Sequence, residues 1–316
     1  MTLKTKVKKK IPIETPIHRL ADMLQHKRPA NTVDVDWFIE RYIEPVCNKL
    51  GGFYDDAGNY IVRIGEDSRV LFSSHTDTVH STGGKQRVVV SGDFFKVSST
   101  EQSNCLGADD TTGVWLMLEM LRQPNPIKGL YIFHASEEIG GIGSSYIAKS
   151  HYNLLHGIDY AIAFDRKGTT SIVTHQAGGR CCSEDFSDSL AKLLPAGYVS
   201  DAGGTFTDTA NYTDIIPECT NISVGYFSQH TSSETQSISH AMLLRDAMLK
   251  FDESKLVCKR IAGEIDYNDE LYYYNSFNRY SYGYGNKHST KKKYKFDTHS
   301  YYDLYDYVRQ NPDKIT

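Results

Sequence analysis

Asp109 and Asp110 stand side by side in Gly107-Ala108-Asp109-Asp110-Thr111-Thr112-Gly113, just before the helix-like apolar run Val114 to Arg122. Two carboxylates after a small-residue turn and directly before a helix can hold a cation close to the main chain. The same pair also serves as a plain helix N-cap with a neighbour that favours the helix dipole, and taken alone that is its commoner use. A cation site needs further donors, and four other places supply them: His75-Thr76-Asp77, Glu137-Glu138, Asp165 and His230. Each alone has the ordinary reading of a capped turn or a satisfied polar group. Gathered at one place without matching Lys or Arg, two imidazoles and several carboxylates repel one another unless cations are present. Nitrogen and oxygen donors without thiolates suit Zn²⁺, or alternatively Mn²⁺ or Co²⁺.

The elements that must position these residues read as follows. Thr15-Pro16 opens a helix with Ile17, Leu20, Met23 and Leu24 on its apolar face. A second helix runs from Val35 to Leu50, with Pro45 as a kink and Gly51-Gly52 as its stop. Tyr60 to Ile64 and Val70 to Ser74 read as a pair of strands around the turn Gly65-Glu66-Asp67-Ser68, the second running into His75. Arg87 to Val97 suggests another hairpin. Gly129 to His134 and Ile158 to Phe164 are buried strands that deliver Glu137-Glu138 and Asp165. Ser171 to His175, a helix over Ser183 to Leu194, and a strand over Thr220 to Phe227 leading directly to His230 continue the alternation, which closes on a helix from Ser237 to Phe251. Strands alternating with helices predict a three-layer α/β/α domain with a mostly parallel or mixed central sheet, and such sheets place ligands at the carboxyl ends of their strands.

In this order, the five elements His75-Thr76-Asp77, Gly107-Ala108-Asp109-Asp110 with Gly113, Glu137-Glu138, Asp165 and His230 resemble the ligand set of the co-catalytic zinc peptidases, the clan of families M28, M20 and M42. The resemblance covers roughly Val70 to His230 and implies the phosphorylase/hydrolase-like zinc exopeptidase fold. It also implies two divalent metal ions, with His75 and Asp165 on one, Glu138 and His230 on the other, Asp109 bridging both, and a cis peptide between Asp109 and Asp110. Asp77 would accept from the His75 imidazole, and Glu137 would be the general base that takes a proton from the attacking water and passes it to the leaving amine. The gaps of 34 residues from His75 to Asp109 and 65 from Asp165 to His230 leave no room for an inserted lid or dimerisation domain of ordinary size. The chain is therefore most similar to a single-domain M28-type aminopeptidase, although Gly107-Ala108-Asp109-Asp110 is also similar to the tripeptidase branch of M20. The expected substrate is a peptide. An N-acyl amino acid, cleaved by a deacylase of the same clan, is the alternative.

Composition bounds the rest. The balance of 35 basic against 39 acidic residues, net −4, argues against a global nucleic-acid partner. No run is long and apolar enough to span a membrane, and the first residues lack the apolar core of a secretory signal, so the expectation is a cytoplasmic protein. The six cysteines show no CxxC spacing and read as reduced thiols, with no local sign of thiol catalysis. The chain divides into a basic segment at 1–14, a catalytic domain at 15–258 and a Tyr-rich segment at 259–316, expected to be partly disordered; 12 of the 22 tyrosines follow Ile261. A non-catalytic binding protein that works through that segment is the competing reading, and a base-stacking surface there is the weaker form of it. Gly203 to Asp208 reads either as a pocket-lining loop or as a plain connection. Tyr226 and His175 read as core residues before oxyanion donors, and His80, His134 and His240 as satisfied core histidines.

Overall fold

The sheet that carries the site has eight strands. The computed structural model describes residues 15–263, so the expectations for the basic and Tyr-rich segments lie outside the described residues, apart from 259–263. Across the sheet the strands run Val199–Asp201, Ser171–Val173, Glu218–Ser223, Tyr160–Arg166, Val70–His75, Gly129–His134, Tyr60–Ile64 and Phe53–Tyr54. Val70–His75 lies parallel to both of its neighbours, Tyr160–Arg166 and Gly129–His134, and Glu218–Ser223 is parallel to Tyr160–Arg166. The edges turn antiparallel, so the sheet is mixed.

The side-chain period of two divides the central strands between two cores. Phe72, Tyr131, Ile162 and Phe164 point to one face. There the helix Ala108–Leu121 packs, buried along its whole length. Leu71, Leu130, Ile132 and Ala161 point to the other face, against Ile147 of the helix Ile142–Ser150 and against Tyr212. The three-layer architecture is as the alternation predicts. A helix buried all round must be covered on its outer side as well. Pro16–Met23 and Ile238–Met248 do this, and the buried Glu119 ties both to it, through Arg19 at 2.7 Å and Arg245 at 3.2 Å.

Three expectations are corrected. Tyr60–Ile64 and Val70–His75 are not a hairpin: Gly129–His134 lies between them, antiparallel to the first and parallel to the second. That strand is buried on both faces and needs two neighbours, which outweighs the turn chemistry of the short connection. The helix around Pro45 starts earlier, at Val33, and widens instead of kinking. Pro45 has no N–H for the Arg41 carbonyl, and over Ile39–Ile43 the turn opens until the Glu44 N–H reaches back to Ile39 O. Finally, the strand expected over Thr220 to Phe227 is two strands. The central one ends at Ser223, and after Gly225, at φ 96°, Tyr226–Phe227 joins a second, antiparallel sheet with Thr235–Ser237, Phe94–Val97 and Val88–Ser91. The expected hairpin over Arg87 to Val97 is present, paired from Val88↔Val97 to Ser91↔Phe94.

Gly113 sets how closely the buried helix approaches the sheet. A Cβ built there would overlap Phe164 O, Asp110 Oδ1 and Ser74 Oγ, two of which lie on the central strands. Gly113→Ala is expected to lower unfolding stability by about 3 kcal/mol, read from the denaturant midpoint, because the helix must move off the sheet. An unchanged midpoint would contradict this packing.

Candidate metal centre

Each predicted site residue lies at the carboxyl end of the central sheet or is brought over it. His75 is the last residue of its strand, Asp165 the penultimate residue of its own, and Glu137-Glu138 follow Gly129–His134 after Ala135 and Ser136. Asp109 enters at the head of the buried helix, where Gly107 is left-handed at φ 70° and the Asp109–Asp110 peptide is cis. His230 comes from a different place than expected. It sits at φ 62° in the connection between Tyr226–Phe227 and Thr235–Ser237 of the second sheet, half exposed, and is not carried by a central strand.

These residues converge in two groups. Ligand atoms of His75, Asp109 and Asp165 lie within 4.8 Å of one another, and so do those of Asp109, Glu138 and His230. Asp109 belongs to both, with Oδ1 3.1 Å from His75 Nε2 and Oδ2 3.2 Å from His230 Nε2. Glu138 Oε2 is 3.2 Å from His230 Nε2, while its Oε1 is buried with no hydrogen-bond partner. An orphaned buried carboxylate oxygen is costly. Two sets of nitrogen and oxygen donors sharing one carboxylate fit a pair of divalent cations of the Zn²⁺, Mn²⁺ or Co²⁺ type. Glu137 Oε2 stands 4.0 Å from His75 Nε2, beside the first group.

The electrostatics bear the marks of crowded like charge. Burial, with the charges of Asp165, Asp208 and Glu138, pushes Glu137 up to about 10 against the opposing effect of His75. Burial and the Asp109 charge push Asp165 up to about 7. Burial would raise Asp109 too, but hydrogen bonds from His230 and His75 hold it below its ordinary value. Burial works to lower His75, yet Asp109, Asp165 and Asp77 outweigh it and keep the imidazole well above its usual value. His230 is pushed up to about 10, first by its hydrogen bond with Asp109 and then by that with Glu138.

The supports around these residues refine the expectations. His75 Nδ1 lies 3.1 Å from the Asp77 main-chain carbonyl and 3.5 Å from its carboxylate, so Asp77 orients the ring mainly through its backbone. Its carboxylate instead accepts the main-chain N–H groups of Glu137 and Glu138, both at 3.1 Å. Asp110 does what a helix cap does, accepting from Gly113 N–H at 3.0 Å, and it also accepts from His75 N–H at 3.2 Å. Tyr226 is neither a bare core residue nor free to meet an oxyanion, since its hydroxyl donates to Asp165 Oδ1 at 2.9 Å. Thr207 of the Gly203 to Asp208 loop donates to Asp165 Oδ2 at 2.7 Å, and Gly204, Thr205 and Phe206 of that loop line the cleft. His80, His134 and His240 are buried and hydrogen-bonded, to Thr78, Tyr212 and Tyr198 respectively. All six cysteines are free thiols.

Two groups escaped the sequence reading. Glu234 is buried and accepts three main-chain N–H groups, those of Leu106 and Gly107 at 2.8 Å and of Asp109 at 3.0 Å. Burial and the Asp109 charge push it up to about 7. Its only sequence signal is its place four residues after His230. Arg28 is a buried cation near Asp110 and Asp77, donating from Nε to Thr76 O at 2.6 Å and stacking 4.0 Å over Phe38. With Arg166 and Lys167 also lining the cleft, the carboxylates are not without basic neighbours, as the sequence suggested, although these three cations are outnumbered.

The comparisons with known proteins bear on the fold and the family. No curated protein matches the sequence. Among solved structures, the chain is similar to aminopeptidase PepT from Bacillus cereus, at 15% identity over 74% of this chain and 96% of that chain, TM-score 0.60. A tripeptidase from Staphylococcus aureus matches with the same identity, coverage and score. The TET1 peptidase of Pyrococcus horikoshii matches at 17% identity over 74% of this chain and 98% of that chain, TM-score 0.55. At such identities the likeness is one of fold. The family model for peptidase family M28 matches residues 59–217, half of the chain and the stretch that holds every sequence-predicted site residue except His230, and the chain belongs to peptidase family M28: it is a peptidase.

Proposed function

We propose that the chain is a two-metal exopeptidase of the aminopeptidase type. The observation that carries this reading is Asp109, whose two carboxylate oxygens face two separate groups of donors, His75 with Asp165 and Glu138 with His230. Zn²⁺ is the proposed ion, with Mn²⁺ or Co²⁺ as alternatives. The names of the structural neighbours, aminopeptidase and tripeptidase, favour cleavage at a peptide end.

Bound divalent ions would acidify water and polarise the scissile carbonyl. The chain's own residues do the rest. A Glu137 carboxylate oxygen takes the proton of the attacking water as the oxygen adds to the carbonyl carbon. As the C–N bond breaks, the same residue delivers that proton to the leaving nitrogen. Burial and the neighbouring carboxylates hold Glu137 at about 10, and with divalent cations held by the two donor groups it would fall towards the range where it ionises near neutrality. Asp77 keeps Glu137 and Glu138 in place through their main-chain N–H groups, and Tyr226 and Thr207 fix both oxygens of Asp165.

Turnover of di- and tripeptides and aminoacyl anilides, with N-acyl amino acids as the contrasting set, tests the reading. Glu137→Gln is expected to lower kcat by a factor of about 10² to 10⁴ while metal content stays at that of the wild type. Full activity in that variant, or after exhaustive chelation, overturns it. Glu234→Ala leaves the N–H groups of Leu106, Gly107 and Asp109 without their acceptor. It should cost about 3 kcal/mol of stability and weaken the hold on metal in chelator competition, with Glu234→Gln recovering part of both.

The pH dependence has a definite sign. In the metal-free protein Asp165 and Glu234 titrate at about 7 instead of 3.8 and 4.5, and Glu137 and His230 at about 10 instead of 4.5 and 6.5. All four bind protons more tightly folded than unfolded. Their contribution is present below the ordinary values and lost as pH rises through the raised ones. Chelated protein should therefore lose stability between about pH 5 and about pH 9, whereas bound cations replace those protons. The gap in Tm between metal-supplemented and chelated protein is expected to widen with pH; a constant or narrowing gap would count against the site.

A further inference from the structure

Arg166 and Lys167 follow Asp165 directly, and both line the cleft together with Asp109, Glu137, Glu138 and Asp165. Arg166 is held in place by Nη2, which donates to Asp201 Oδ2 at 2.9 Å and to Gly203 O at 3.0 Å. That contact leaves its Nε–H buried with no partner. Lys167 is exposed and forms no ion pair among the described residues. The cleft lining thus carries, beside the carboxylate cluster, the Lys167 side chain with no ion pair of its own among the described residues and Arg166, whose guanidinium keeps one N–H without an acceptor. An unpaired N–H out of contact with water is costly, and a carboxylate is the acceptor that best matches both donors. The reach is short. Lys167 is two residues beyond Asp165, at most about 7 Å along the chain.

We propose that Lys167 and the Nε–H of Arg166 form a carboxylate-recognition subsite, which makes peptides bearing a carboxylate within about two residues of the scissile bond the preferred substrates. The inference rests on the peptidase reading above and names its substrate class. The carboxylate is either the free C-terminus of a di- or tripeptide or an Asp or Glu side chain beside the bond. An N-terminal ammonium and such a carboxylate on one short chain would match the two signs of charge in the cleft.

The test is kcat/KM of the metal-loaded enzyme on matched pairs: Ala-Ala and Ala-Ala-Ala against their C-terminal amides, and Glu-Ala-amide and Ala-Glu-amide against the Gln counterparts. The wild type is expected to favour the carboxylate-bearing member of at least one pair by about ten-fold, and the pair that discriminates identifies the source of the carboxylate. Lys167→Ala should bring that ratio towards one and Lys167→Glu below it, chiefly through KM. Because Lys167 is exposed, added salt should also erode the ratio. Arg166→Lys, which keeps the charge and removes the Nε–H, should lower it too; should that variant misfold, the Lys167 variants at the surface still decide. Dissociation constants of a reduced-bond Ala-Ala analogue, measured calorimetrically for wild type and Lys167→Glu, give a second readout independent of turnover and should differ in the same direction. Peptide hydrolysis with equal ratios in wild type and Lys167→Glu overturns this inference alone. Absence of hydrolysis for every peptide overturns the proposed function and this inference with it.

Discussion

The rest of the structure depends on how negative charge is crowded at one end of the central sheet. Asp77, Asp109, Asp110 and Asp208 are buried there, with Glu137, Glu138 and Asp165 beside them. Carboxylates withdrawn from water must be neutralised, hydrogen-bonded or matched by cations. The protein uses all three. Asp110 is pushed well above its ordinary value by burial and by Asp165. Asp109, its neighbour, is brought down by His230 and His75 despite burial. Two adjacent residues of the same type thus do opposite jobs. One serves the helix start and the His75 main chain, and the other remains a carboxylate facing both donor groups.

Hydrogen-bond donors that belong to the scaffold turn this crowding into a geometry. Asp77 joins the His75 strand to the turn after Gly129–His134 by accepting both glutamate N–H groups. Asn221 does the same for Asp165, accepting its N–H at 2.9 Å and donating to its carbonyl at 2.7 Å. Glu137, Glu138 and Asp165 are therefore fixed from a neighbouring segment and not only by their own backbone. Order of this kind is what metal-ligand sites require of the residues behind them, because a displaced ligand loses affinity as surely as a missing one.

Much of this was legible in the residues themselves. The strand-end placement of His75, Glu137-Glu138 and Asp165, the helix after Asp109 and the three layers follow from local pattern, and the order of the motifs carried the family. What could not be read depends on pairing between distant segments. Gly129–His134 inserts between two strands that a short turn seemed to join, because burial on both faces is a property of the assembled sheet. The Glu234 clamp joins residues more than a hundred positions apart, and nothing in a run of Ser, Glu and Thr announces three buried main-chain partners. Arg28 looks like a surface residue in sequence, and only its seat over Phe38 and against Thr76 O makes it a buried counter-charge.

His230 shows how a candidate ligand outside the central sheet can still be placed. It is half exposed and lies in a connection of the second sheet, so its own strand pairing would hold it only loosely in relation to His75 and Asp165. The residues that follow it remove that freedom. Glu234 grips the turn that presents Asp109, and Gln236 accepts from Thr112 Oγ1 at 2.6 Å while donating to Val224 O and Ser237 O. The connection that carries His230 is thereby fastened to the head of the same helix that carries Asp109. The two donor groups share more than the Asp109 carboxylate: they share its support, because Glu234 and Gln236, which follow His230, both bind the head of the helix that carries Asp109.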